Sequence, residues 1–174
     1  MKNLFYLLFL IVCFGCNPNN PSPNSATMQW EATIDGQTSG WSSTFTPGQY
    51  PQNASNSGSS SVAIEPNNTP FGIVGVVNEN GITKNMSLSL PTYAIGNYVI
   101  NQSNYAQSNN VSFMEGNVMY SVGFGGSVTV NVTECPANIY EVVKCTFSGT
   151  IGKSPTAGGG TVSISGSFDA VKMN

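Results

Sequence analysis

Chemistry in this chain has to come from carboxylates, thiols and aromatic rings, because it contains no histidine. Ser-His-Asp and Cys-His arrangements are therefore excluded. The eight acids are Glu31, Asp35, Glu65, Glu79, Glu115, Glu134, Glu141 and Asp169, and two carboxylates at a suitable separation are all that glycoside hydrolysis requires. Their settings point elsewhere. Asp35 belongs to an Asp-Gly turn, Glu79 to Asn78-Glu79-Asn80-Gly81 and Glu115 to Glu115-Gly116-Asn117, so these read as solvated turn charges. Glu31 and Asp35 lie four apart on a strand and would share a face. No Asp-x-Asp-x-Asp-Gly run offers a calcium loop. Gly158-Gly159-Gly160 lacks the following Lys-Ser/Thr of a phosphate loop and reads as a hairpin tip. The expectation is a protein that is not an enzyme, with no catalytic residue, no metal and no cofactor.

The four cysteines divide by position. Cys16 follows a basic start (Met1, Lys2, Asn3), an apolar stretch from Leu4 to Phe14 and the small residue Gly15. That is the grammar of an export signal, and the apolar run falls short of the about 20 residues a membrane span needs. Cys13-Phe14-Gly15-Cys16 resembles the lipobox read by lipoprotein signal peptidase, although Cys13 stands where Leu or Val is usual and Phe14 is bulky. An ordinary secretory signal beside a chance cysteine is the alternative. The polar, Pro-rich run from Asn17 to Asn24 is the tether expected after an anchor. Acyl chains on Cys16 would then hold the protein to a membrane, each buried methylene contributing about 0.8 kcal/mol.

With Cys13 removed and Cys16 lipidated, Cys135 and Cys145 remain to be paired in an oxidising compartment. Pro136-Ala137-Asn138 marks a turn between them, so a disulfide across a hairpin is expected, worth roughly 2–3 kcal/mol in the chain-entropy model. Free thiols are the alternative. Zinc wants four ligands, and a chain without histidine supplies them badly.

Composition narrows the function classes. Only 7% of residues are charged, and the five lysines, with no arginine, face eight acids. Phosphate recognition needs clustered Lys and Arg, so nucleic acid is not an expected partner. Residues 1–15 are expected to be a lipoprotein signal peptide, 16–27 the lipidated cysteine and flexible tether, and 28–174 one domain of about 150 residues.

That domain has no sustained helical period. It is a succession of short alternating segments punctuated by Gly, Asn and Pro. Strands are predicted at Trp30–Ile34, Gln37–Ser43, Ser61–Glu65, Phe71–Asn78, Met86–Leu90, Asn97–Ile100, Val111–Glu115, Asn117–Val122, Ser127–Thr133, Ile139–Ile151 and Thr161–Lys172. Asp35-Gly36 predicts a tight hairpin, and the run from Thr46 to Ser60 an exposed loop. Val143, Cys145 and Phe147 fall on one face of their strand, as do Val162, Ile164, Gly166 and Phe168 on theirs, so these two strands are expected to pair. The expected fold is an all-β antiparallel sandwich of about nine to eleven short strands.

Several of these segments resemble a family. Trp30-Glu31-Ala32-Thr33-Ile34-Asp35-Gly36 with Trp41 is similar to the aromatic-x-Ala-x-apolar-Asp-Gly opening of small Bacteroidota lipoproteins. Gly96-Asn97-Tyr98-Val99-Ile100, Phe147-Ser148-Gly149-Thr150 and Gly166-Ser167-Phe168 resemble that family's later strands. The resemblance implies a lipid-anchored β-sandwich of unknown function and carries over no catalytic residue. In such lipoproteins acids soon after the cysteine resemble an export signal to the cell surface. The tether here has none, which favours the periplasmic face of the outer membrane.

The function expected is a non-enzymatic binding or interaction module of the cell envelope. A carbohydrate-binding form would use Trp41, Tyr50, Tyr93 and Tyr105, which fall at strand ends or in loops. An assembly form would dock an edge strand or Phe71–Val77 on another envelope protein. Trp30, alternating with Ala32 and Ile34, reads as core. Replacing Cys16 with Ala should move the protein from the membrane to the soluble fraction of fractionated cells, and retention of that variant in the membrane fraction would refute lipidation.

Overall fold

The computed structural model describes residues 25–48, 58–64, 71–106 and 108–173. The signal segment, Cys16, most of the tether, Tyr50 and Glu65 lie outside these. Ten strands run β1 (Ala26–Ile34), β2 (Gln37–Phe45), β3 (Gly58–Ile64), β4 (Phe71–Glu79), β5 (Ile82–Leu90), β6 (Gly96–Asn101), β7 (Asn110–Glu115), β8 (Val118–Glu134), β9 (Val142–Lys153) and β10 (Thr161–Lys172). A single 3-10 turn, Pro155–Ala157, interrupts the loop between the last two.

Turn chemistry sets the local registers. Asp35 and Gly36 take φ of 50° and 78°, and Asn80 and Gly81 take 54° and 79°. Positive φ at both central residues is what a two-residue hairpin turn demands. The β4–β5 turn is tightened further where the Gly81 N–H donates to Asn78 Oδ1 at 3.1 Å. Tyr140 also has a positive φ, 60°, so β9 starts at Val142 and not at Ile139 as the alternation suggested.

The strands form one all-β sheet, antiparallel at every pairing except β10 with β3. Neighbours follow the order β2-β1-β10-β3-β4-β5-β7-β8-β6, while β9 pairs with both β10 and β8. β9 thus joins the two ends of the middle of that path into a nearly closed barrel, with β1–β2 and β6 as flanks. The all-β, antiparallel expectation holds. Two separately paired sheets are not what the ladder contains, because two strands change neighbours along their length. β8 pairs with β7 over Val118–Ser121 and with β6 over Ser127–Val132. β10 pairs with β1 over Ile164–Asp169 and with β3 only at Val171 and Lys172. The predicted strands Asn117–Val122 and Ser127–Thr133 are the two halves of β8, divided by a register shift between Ser121 and Gly126. Bends of this kind are how one strand serves two layers.

The expected β9–β10 pairing is present along both strands. Val143, Cys145, Phe147, Ile164 and Phe168 point inward and are buried. At the centre Trp30, only 1% exposed, stacks on its register partner Phe168 with centroids 6.4 Å apart. Phe147 lies 6.0 Å from the same Phe168 ring. Two glycines make room for these rings. A Cβ on Gly75 of β4 would overlap the Trp30 indole, and one on Gly166 of β10 would overlap Phe147 and the Glu31 carbonyl.

The outer edge of β6 carries a side-chain cap. Asn104 Nδ2 donates to the Val99 carbonyl at 2.8 Å and its Oδ1 accepts from the Asn101 N–H at 2.8 Å.

Because the Trp30 ring occupies the space a Cβ would need, Gly75→Ala should destabilise the fold by about 1–3 kcal/mol, the usual cost of overpacking. Gly72→Ala on the same strand, where the nearest atom to a Cβ is 3.9 Å away, should stay within about 0.5 kcal/mol. Urea unfolding midpoints measure both, and equal midpoints for the two variants would show that the indole moves aside freely.

Candidate functional site

The β1–β2 hairpin carries the groove that best suits a ligand. Its register sets Trp41 opposite Trp30, Gly40 opposite Glu31 and Ser39 opposite Ala32. Opposed residues share a face, so both tryptophans lie on one side of the hairpin. Trp30 is buried, whereas Trp41 on the outer strand is half-buried and packs against both hydrophobic clusters of the core. Beside it runs a groove of about 370 Å³ whose lining includes Gln29, Glu31, Ser39, Trp41, Ser42 and Glu79. Gly40 has to be small there, since a Cβ would stand 2.5 Å from the Trp30 carbonyl oxygen.

Lys84 holds this groove in place from behind. Its Nζ donates to Ser39 Oγ at 2.8 Å and pairs with Glu79 at 2.9 Å and Glu115 at 3.1 Å. The side chain is only 13% exposed, and all three ammonium protons have acceptors. The hydrogen bond it donates to Glu79 is the main reason its pKa is raised, against the opposing effect of burial and with help from Glu115. One side chain therefore ties β5 to the end of β4, to β7 and to β2. Glu79 is committed to that network, and Gln29 Nε2 donates to Asp169 Oδ2 at 2.8 Å. Glu31 is exposed and, among the described residues, has no hydrogen bond or ion pair of its own. The groove thus runs beside the Trp41 indole and Ser39 on one side of the hairpin, while Gln29 and Glu31, the neighbours of Trp30 in sequence, point to the other.

The other aromatic candidates are elsewhere. Tyr93 is a structural strut: its hydroxyl donates to the Pro136 carbonyl at 2.7 Å, its ring meets Phe71 edge-on at 5.2 Å, and Lys172 Nζ lies 5.2 Å over its face. Tyr105 is exposed, with its ring laid against Gly123 of β8, 3.1 Å from where a Cβ would be. Neither lines the Trp41 groove, and Tyr50 is outside the described residues. The apolar segment Phe71–Val77 is β4, paired on both edges by β3 and β5, with Phe71, Ile73 and Val77 buried. It has no free edge to offer a partner.

A second depression, of about 540 Å³, is lined by Glu134, Glu141, Lys144 and Asp169 among others. Its charges are already satisfied: Lys144 pairs with Glu134 at 2.9 Å, Glu141 accepts from Asn138 at 3.0 Å, and Asp169 accepts from Gln29. Among the described residues no three His, Cys, Asp or Glu side chains are grouped so as to hold a metal ion. Sequence reasoning named Trp41 but missed the groove around it, above all Gly40 and Lys84. One hint was available for the lysine: it is the only cation between Lys2 and Lys144, and such isolation in an apolar strand favours a buried pairing.

The expected disulfide is not formed. Cys135 and Cys145 are free thiols. Cys145 faces Val132 across the ladder, and after a register shift Glu134 faces Lys144. β8 ends at Glu134, so Cys135 lies beyond the ladder and is not the residue set opposite Cys145. Burial pushes the Cys145 thiol up to about 12, only partly offset by a backbone hydrogen bond with Phe168. Burial also raises Cys135, with Lys172 acting against it.

A thiol that stays protonated in the fold but ionises in the unfolded chain stabilises the fold fully below about pH 8.5, and that stability declines as pH rises toward 12. Urea midpoints should therefore fall between pH 8.5 and 10, with a slope of up to about 1.4 kcal/mol per pH unit for this one group. Cys145→Ala should flatten that fall, and an unchanged slope would refute the assignment. Set against family models, curated proteins and solved structures, the chain matches none.

Proposed function

We propose that the protein is a non-enzymatic binding module of the cell envelope, anchored to a membrane through lipid on Cys16, which takes a carbohydrate in the groove beside Trp41. The observation that carries this reading is the half-buried Trp41 indole beside a groove whose lining also includes Ser39, Ser42, Gln29 and Glu31. The C–H face of a sugar ring stacks on an aromatic plane, while its hydroxyls need acceptors and donors around the rim. At about 370 Å³ the groove is of ligand-site size, which runs from about 300 to 1,000 Å³.

No catalytic role is assigned to the acids. Glu79, Glu115, Glu134, Glu141 and Asp169 are each held by a lysine or an amide, and Asp35 belongs to its turn. Placement at the outer membrane, on its periplasmic face, is supported by the lipobox-like Cys13-Phe14-Gly15-Cys16, by the acid-free tether and by the resemblance to small Bacteroidota lipoproteins.

The test is a glycan array probed with the lipidated protein in a detergent that has no sugar headgroup, read beside tryptophan fluorescence. Binding should quench or shift the indole emission. Trp41→Ala should weaken binding at least about tenfold, or about 1.4 kcal/mol, with the circular dichroism spectrum unchanged. An array blank for every glycan, or binding indifferent to Trp41, would overturn the reading.

A further inference from the structure

One end of the barrel is built from uncharged loops. The β5–β6 loop reads Pro91-Thr92-Tyr93-Ala94-Ile95 and the β8–β9 loop contains Pro136-Ala137-Asn138-Ile139-Tyr140, with no charged residue in either run. Ile95 is 68% exposed and Ile139 46%. The two loops are tied together where the Tyr93 hydroxyl donates to the Pro136 carbonyl at 2.7 Å. Other carbonyls of the loops are also met from within the protein: the Tyr98 hydroxyl donates to Ala94 at 2.8 Å, and Lys172 Nζ donates to Ala137 at 2.6 Å. A loop whose main-chain acceptors are already answered loses less when water is taken from it.

The chain enters the domain at this same end. β1 begins at Ala26, which packs on the same apolar cluster as Tyr140 and lines the same depression as Pro136. Nine steps of chain separate Cys16 from Ser25, about 30 Å at full stretch, whereas the twelve residues of β10 run about 40 Å. An anchor on Cys16 therefore holds this end nearest a bilayer, and reaching the opposite end would use the whole tether. The exposed apolar side chains of that opposite end, Ile82, Met114 and Met119, stand beside the charges of Glu79 and Glu115.

We propose that the loops carrying Ile95 and Ile139 form a bilayer-contact surface, set into the headgroup region of a zwitterionic membrane. The proposal rests on the lipid anchor on Cys16 put forward above. Around the loops the described charges are Glu134, Glu141 and Asp169 against Lys144 and Lys172, so no basic patch suits an anionic surface. Two isoleucines bury too little to hold a protein on a membrane unaided. Once acyl chains tether the molecule, the second contact is intramolecular, and a weak one is enough to orient the barrel.

The probe is a phosphatidylcholine vesicle, with or without bromine on its acyl chains, carrying the full lipidated protein. Bromine quenches an indole that it touches. Ile95→Trp and Ile139→Trp should each add emission that is lost on bromolipid at any salt concentration, the contact being apolar, and Met119→Trp should add emission that bromolipid spares. Amide exchange needs no variant in the loops: protons at 94–96 and 138–140 should exchange about tenfold more slowly on vesicles than in Cys16→Ala protein free in solution, with those at 80–81 and 116–117 unchanged. Protein that floats with the vesicles while both loop indoles stay bright and both loops exchange freely would overturn this inference and leave the anchor standing. Equal quenching at Met119→Trp would do the same. Failure of the unaltered protein to float would remove the anchor and this surface together.

Discussion

The position of one indole ring governs how the rest of this structure is arranged. Trp30 belongs to β1, whose backbone is registered with β2 and β10, yet its ring presses on β4 across the core through the space left by Gly75. It also sends an Nε1–H toward the Val76 carbonyl at 3.4 Å. In the backbone ladder the β1–β2 hairpin joins the barrel only through β10. The Trp30 contact fixes the hairpin over β4, and Phe168 and Phe147 complete a row of rings behind it. Close packing makes such an arrangement intolerant of added volume, since interiors are filled to crystal-like density.

Lys84 supplies the polar counterpart at the hairpin's other end. A lysine whose side chain lies along the protein surface keeps its ammonium in place only when its hydrogen bonds and charge are answered, and here Glu79, Glu115 and Ser39 answer them. The apolar contact orients the inner face of the hairpin and the ionic contact fixes β2. Between the two, Trp41 is held half-buried beside the groove, so the groove is preorganised by the fold itself. Preorganisation of this kind lowers the ordering cost of binding.

Much of the local structure was legible because it depends on neighbours in sequence. Asp35-Gly36 and Asn80-Gly81 announce their turns through backbone conformation alone, and the alternation of Val143, Cys145 and Phe147 follows from the two-residue period of a strand. What was hidden depends on residues far apart. Gly123-Phe124-Gly125-Gly126 looks like a loop in sequence, but β9 runs alongside and keeps the chain extended through a bulge, turning two predicted strands into β8. Cys135 and Cys145 look well spaced for a bridge, but β8 ends at Glu134, and Cys145 faces Val132 across the ladder. Trp41 was expected at a strand end, but it sits at the middle of β2, half-buried opposite Trp30. The groove was not legible, because its other residues come from β1 and β4 as well as from β2.

Asn104 gives the fold a property that reaches beyond a single molecule. An open strand edge presents a ladder of unmet N–H and C=O groups, and another extended chain satisfies them. At β6 the carboxamide of Asn104 has the same donor and acceptor as a peptide unit, and it occupies Val99 and Asn101 as the next strand would. The molecule completes that part of its sheet with its own side chain. A second extended chain meeting this edge finds that main-chain pair already taken, so its ladder cannot run unbroken along β6.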